Sequence, residues 1–163
     1  MCKVKNPPDF LWSTVSKAVV ASNQGNYDLA RDLIHKASQP FGFLALRSAR
    51  AFLHRSYGSA HIELLAGQYD RAECHFTATI EGSDIQGHLY FKAFSARGLG
   101  EVAFARGNFA IAAQHFAETR SLCTEMGVPP RKLYHFSPFT ALPERFEGWA
   151  LFLECRSPFT SAI

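Results

Sequence analysis

The chain has 163 residues, 47% of them apolar and 15 of them phenylalanine, which is enough material for one domain around a single core. Its formal net charge is only +3, with Lys and Arg scattered rather than massed, which is too small to argue for nucleic acid. Charged residues supply 19%, slightly low for a fully solvated surface, and this points to a buried partner surface or to a piece of a longer stack.

Residues 1–9 read as an irregular, proline-containing lead that holds no signal-type apolar run. The first helix is expected from Asp9, a capping residue, to about Asn23, with Leu11, Trp12, Val15, Val19 and Val20 at helical spacing. Gly25 breaks it. A second helix, Tyr27 to Ser38, places Ala30, Leu33, Ile34 and Ala37 on one face, and Pro40 and Gly42 stop it. A third, long helix is expected from about Phe43 to Leu65, crossing Gly58, where a bend or a tight helix crossing would account for the glycine. After Gly67, a fourth helix spans 69–80, with Ala72, Phe76 and Ile80 inward. Glu81-Gly82-Ser83-Asp84 reads as a loop, and a fifth helix as Ile85 to Ala105, in which Gly98 and Gly100 would let a neighbouring helix approach closely. After Gly107, a sixth helix runs from Phe109 to Met126, and Gly127-Val128-Pro129-Pro130 ends it. In residues 127–163, a loop leads to a capping helix over 143–155, with Phe146, Trp149, Ala150 and Leu153 inside. A terminal helix carrying Trp149 and Phe152 is expected either to cap the stack or to want a partner.

Three of these turns are alike. The glycines at 25, 67 and 107 are 42 and 40 residues apart, and each is followed by a small residue at plus five and a bulky apolar one at plus nine: Gly25/Ala30/Ile34, Gly67/Ala72/Phe76 and Gly107/Ala112/Phe116. The small residue lets two antiparallel helices approach, and the large one fills the groove beside it. A single helical hairpin cannot bury its apolar face, so hairpins repeated in one chain are expected to stack.

On these features the chain resembles the tetratricopeptide repeat family: the turn glycine, the aromatic or bulky residue two positions on (Tyr27, Tyr69, Phe109), the small residue, and the large residue of the second helix of each pair. Leu99-Gly100 takes the family's small-residue position in the third pair, Ala60 in the second and Ala18 in the first. The resemblance covers residues 10–126. The period departs from the family's usual 34 residues, and the closing alanine of the second helix is kept as Ala37 but replaced by Thr79 and Thr119. The longer period resembles repeats in large multidomain signalling proteins of fungi. The implied architecture is all-α: antiparallel helical hairpins stacked as a short right-handed TPR-like superhelix. The implied function is a protein–protein interaction scaffold that binds a peptide or a helical segment of a partner on its concave face.

By register, the resemblance places Trp12, Val15 and Val19, then His54, Tyr57, His61 and Leu64, then Phe94, Arg97, Glu101 and Phe104 on that face. Trp12, His54, Tyr57, His61, Phe94, Arg97 and Glu101 are the expected partner contacts, because aromatics beside one or two charges suit an interface hot spot. The Lys and Asn set with which the family clamps a terminal carboxylate is absent, so no chaperone-tail ligand is expected. Packing of these side chains against neighbouring helices is the competing explanation.

Other chemistry finds little support. The seven histidines form no HExxH motif, and no metal or cofactor is expected. Cys2, Cys74, Cys123 and Cys155 form no CxxC pair; Cys74 and Cys123 are expected as small buried residues of the second helices, and a reducing, cytoplasmic setting follows. No apolar window spans a membrane. No catalytic residues are assigned. Two alternatives stay open: self-association through the C-terminal aromatics, and an RNA-binding helical repeat using a thin stripe of Arg47, Arg50, Arg55, Arg97 and Arg106.

Overall fold

The computed structural model describes residues 7–38 and 49–129, and within them every regular element is an α-helix. The six are α1 (Pro7–Asn23), α2 (Tyr27–Ser38), α3 (Ala49–Leu65), α4 (Tyr69–Gln86), α5 (Leu89–Ala105) and α6 (Phe109–Glu125). Two prolines open α1, where the missing amide costs nothing because the first turn has no intrahelical acceptor.

One turn is used five times. Gly25, Gly67, Gly87, Gly107 and Gly127 all have φ between 65° and 78°, the left-handed region that a Cβ makes costly. In each case the amide after the glycine donates to the carbonyl five residues back: Asn26 to Ala21, Gln68 to Glu63, His88 to Ser83, Asn108 to Ala103 and Val128 to Cys123, at 2.8–3.0 Å. This is the Schellman closure, and it satisfies carbonyls that the helix end would otherwise leave without donors. At the first four turns the residue after the glycine then starts the next helix through its own carbonyl, as Gln68 does for Ala72 and Asn108 for Ala112. At the first turn the Asn26 side chain also accepts from the Leu29 amide.

The turns at Gly25, Gly67, Gly87 and Gly107 fold the helices they join back on one another, and each helix packs chiefly on its neighbours in sequence. Two further contacts give the assembly its layers. α3 touches both α1 and α5, whereas contacts among α2, α4 and α6 are at most marginal. The odd-numbered helices therefore form a closer layer than the even-numbered ones.

The repeat triples lie where steric reasoning puts them. Ala30, Ala72 and Ala112 are buried, as are Ile34, Phe76 and Phe116. Phe76 of α4 is fully buried and its ring covers Gly98 of α5, while Phe116 of α6 covers Gly100. Burying one such ring is worth roughly 2–3 kcal/mol. Ala18 and Ala60 occupy the corresponding small-residue sites and are also fully buried. At the closing position, Ala37, Thr79 and Thr119 are all buried, and both threonines return their hydroxyl to a carbonyl four residues back, Thr79 to His75 at 2.8 Å and Thr119 to His115 at 2.9 Å. A threonine can thus replace alanine there without leaving a polar atom unsatisfied.

Three expectations need correction. Residues 81–84 are not a loop: α4 continues to Gln86, Gly82 is buried under Phe52 and Leu53, and Ser83 bonds back to the Thr79 carbonyl at 2.6 Å. The turn is at Gly87, so α5 begins at Leu89 rather than Ile85. Cys123 is buried as expected but Cys74 is exposed. The helix expected over 143–155, the start of the third helix over 43–48, and Cys2 and Cys155 lie outside the described residues.

Candidate binding site

The residues expected to meet a partner fall on the closer layer, and the structure joins most of them into one cluster. On α3, Tyr57 and His61 are one turn apart and share a 2.8 Å hydrogen bond between Oη and Nε2. Phe94 of α5 lies 5.5 Å from the Tyr57 ring, and Phe76 of α4 packs edge-on to His61 at 5.6 Å. His54 sits one turn before Tyr57 and meets Phe91 of α5 edge-on at 4.7 Å. Arg97 and Glu101, one turn apart on α5, form an ion pair at 3.1 Å.

Burial divides this cluster. Tyr57, His61, Phe94 and Arg97 are buried, while His54 and Glu101 are partly exposed. Val15 and Val19 are core residues, Leu64 is half-buried, and Phe104 is exposed at the end of α5, stacked edge-on with Phe109 at 5.2 Å. The Trp12 side chain lies outside the described residues. Burial holds the His61 imidazole well below its ordinary pKa, and the Arg97 guanidinium pushes it the same way, so the ring is neutral at pH 7. The Arg97–Glu101 pair, its arginine buried and its glutamate partly exposed, thus stands beside a neutral histidine and three aromatic rings.

A second site was not foreseen. Between α2, α3 and α4 opens a cleft of about 370 Å³, floored by Ile34 and Ile62 and rimmed by Arg31, His35, Arg55, Ser59, Glu63 and His75. Arg31 of α2 reaches across to α3 and grips both oxygens of Glu63, Nε to Oε1 at 2.8 Å and Nη2 to Oε2 at 2.9 Å, and holds Asp28 at 3.0 Å with its remaining nitrogen. That fork keeps the Glu63 carboxyl below the ordinary glutamate range despite its burial. His75 is lowered, chiefly by burial, with Arg55 and Arg71 adding to the shift and Glu63 opposing it. Its carbonyl accepts from both Ser56 and Thr79, at 3.0 and 2.8 Å, which fixes α4 against α3 beside the cleft. Arg55, Ser59 and Ile62 follow at helical spacing on α3, a signal legible in the sequence. The convergence of α2 and α4 on them is not.

Among the described residues no group of three or more histidine, cysteine or acidic side chains is placed to hold a metal ion. The arginines expected to form a thin stripe are dispersed: Arg97 is buried against Glu101, Arg106 is tied to Asp70 and Glu73 of α4, and Arg55 faces the cleft. Arg47 and the Arg50 side chain lie outside the described residues. No described helix is long and apolar enough to cross a membrane.

What the described residues define is a class, an all-α protein whose helices pack mainly on their neighbours in sequence. Compared with known proteins, the chain matches no family model, no curated protein and no solved structure.

Proposed function

We propose that this protein is a non-catalytic, cytoplasmic interaction module of tetratricopeptide-like construction. Its hairpins stack as a short right-handed superhelix, and the face of α1, α3 and α5 receives a peptide or helical segment of a partner protein. The observation that supports this most is the layering: α3 touches α1 and α5 while the even-numbered helices stand apart. In a curved stack the layer whose helices touch is the concave one. That layer also carries the polar aromatic cluster, with His54 and Glu101 accessible at its edge.

The test exploits that edge. Replacing Tyr57 or Arg97 would damage the core, so the informative variants are His54→Ala and Glu101→Ala. A peptide selected for binding from a display library should lose affinity by about tenfold in one or both, the size of a single hot-spot contact. It should bind unchanged when Glu73 and Ser121, exposed on α4 and α6, are replaced by alanine. Loss only in the second pair would place the partner on the opposite face and overturn the proposal.

Self-association is the second reading. Phe109 is 60% exposed and Ile111 47%, and with Phe104 they leave an apolar patch around the α5–α6 turn. A monomeric mass that does not change with concentration would remove it. The C-terminal aromatics to which the sequence pointed for this role lie outside the described residues.

A further inference from the structure

The cleft between α2, α3 and α4 has a feature that the stacking does not require. Its only rim carboxylate, Glu63, is already committed: it is buried, and both its oxygens are taken by the half-buried Arg31. What remains on the rim is donors. Arg55 has no carboxylate within ion-pair distance among the described residues; its guanidinium instead stands 6.0 Å from the centre of the Phe52 ring. A guanidinium over an aromatic face spends no N–H on a carboxylate, and its donors suit a planar or tetrahedral oxyanion. Ser59, one turn along α3, adds a hydroxyl. His75, whose backbone is pinned by two side-chain hydrogen bonds, adds a ring nitrogen from α4.

Three donor groups from two helices, a net positive rim and an apolar floor define one ligand chemistry. A cation meets Arg31 and Arg55 and finds no uncommitted acid. A neutral apolar ligand would leave Arg55 desolvated without a counter-charge, which is costly. A phosphate monoester carries nearly two charges at neutral pH and three acceptor oxygens, one for each donor. The volume lies within the range of small-ligand pockets, roughly 300–1,000 Å³, so the carbon-bearing part of such a ligand can enter and rest on Ile34 and Ile62.

We propose that this cleft is a binding site for a phosphate monoester, with Arg55 as the charge-bearing contact and Ser59 and His75 as its neutral donors. It is independent of the concave face: none of the cleft residues belongs to the Tyr57–Arg97 cluster.

The test uses the full chain and O-phospho-L-serine as the probe, with L-serine as the uncharged-side-chain control at matched ionic strength, followed by calorimetry or by amide chemical shifts. Saturable binding of phosphoserine and none of serine is expected. R55Q should weaken it about tenfold or more, as for a lost charge-assisted contact, while K17Q, on the exposed surface of α1, leaves it unchanged. An absence of saturation, or equal weakening in R55Q and K17Q, overturns the site. Should R55Q lose the wild-type melting midpoint, R55K decides, because it keeps the charge and loses the fork: weaker binding at an unchanged midpoint supports the site, and unweakened binding overturns it. Glycerol 3-phosphate and an acetylated phosphoserine tripeptide, compared in the wild-type chain, then separate a small-molecule source from a phosphorylated protein.

Discussion

Two glycines on one helix turn show how little slack single residues have here. A methyl group built on Gly98 would stand 2.3 Å from Cζ of Phe76, and one on Gly100 would stand 2.5 Å from Cε1 of Phe116. Neither ring can step aside, since both are buried. Alanine ordinarily gains about 1 kcal/mol over glycine inside a helix, but overpacking a filled core costs about 1–3 kcal/mol, and contacts this short belong at the upper end. Gly98→Ala and Gly100→Ala are therefore each expected to destabilise the chain by about 1–2 kcal/mol in denaturant melts, and Phe76→Leu should partly rescue the first. A neutral or stabilised Gly98→Ala would show that the α4–α5 contact is looser than described. The sequence disclosed the small-residue positions because glycine and alanine recur in register. Whether Tyr57, His61, Phe94 and Arg97 would be open or covered was not legible, because their cover comes from other helices and no local pattern encodes it.

At the level of elements, the Schellman turn is the unit of construction. Sequence spacing exposed it at Gly25, Gly67 and Gly107, where a bulky residue follows two positions later. It hid the equivalent turn at Gly87, because Gly82, Ser83 and Asp84 offered a stronger turn-like composition a few residues earlier. Composition misled there for a physical reason: Gly82 is small to admit Phe52, and Ser83 spends its hydroxyl inside the helix. The turn glycines have nothing within 4 Å of an added Cβ, so any penalty for replacing them is purely one of backbone conformation. Gly107→Ala should lower stability by about 1–2 kcal/mol, and Gly107→Asn by clearly less, since asparagine tolerates the left-handed region. Equal losses in both would indicate a steric role instead.

Over the whole molecule, acid is the simplest perturbation to which the packed layers must answer. The folded state holds His61 neutral through burial and through Arg97, with its pKa far below the ordinary 6.5 that applies to the unfolded chain. As pH falls through 6.5, the unfolded chain takes up a proton that the folded one refuses, so this contribution is present above 6.5 and lost below it. His75 acts in the same direction. Glu63 adds a further loss at lower pH, where its carboxylate, held down by Arg31, must be protonated. Between about pH 7 and pH 5 the His61 contribution therefore declines. Chemical melts across that range should show the decline, and His61→Phe should flatten it; an equally steep decline in the variant would assign the effect elsewhere. The all-helical architecture was legible throughout the described residues because helices are written in local spacing. The cleft was not, since Arg31, Arg55 and His75 are brought together only when three helices close.

Gly67, Gly87, Gly107 and Gly127 stand at equal intervals of 20 residues and share one backbone geometry. Among the described residues the Gly87 turn, which leads from one pair of helices to the next, is thus indistinguishable as main chain from the Gly67 and Gly107 turns within a pair. A copied stretch of forty residues from this array carries two helices and two turns wherever the copy starts, and it rejoins the chain in phase. A forty-residue insertion of that kind is therefore expected to leave the flanking helices in register wherever it is cut, whereas an insertion of a few residues would turn the buried face of one helix away from its neighbour.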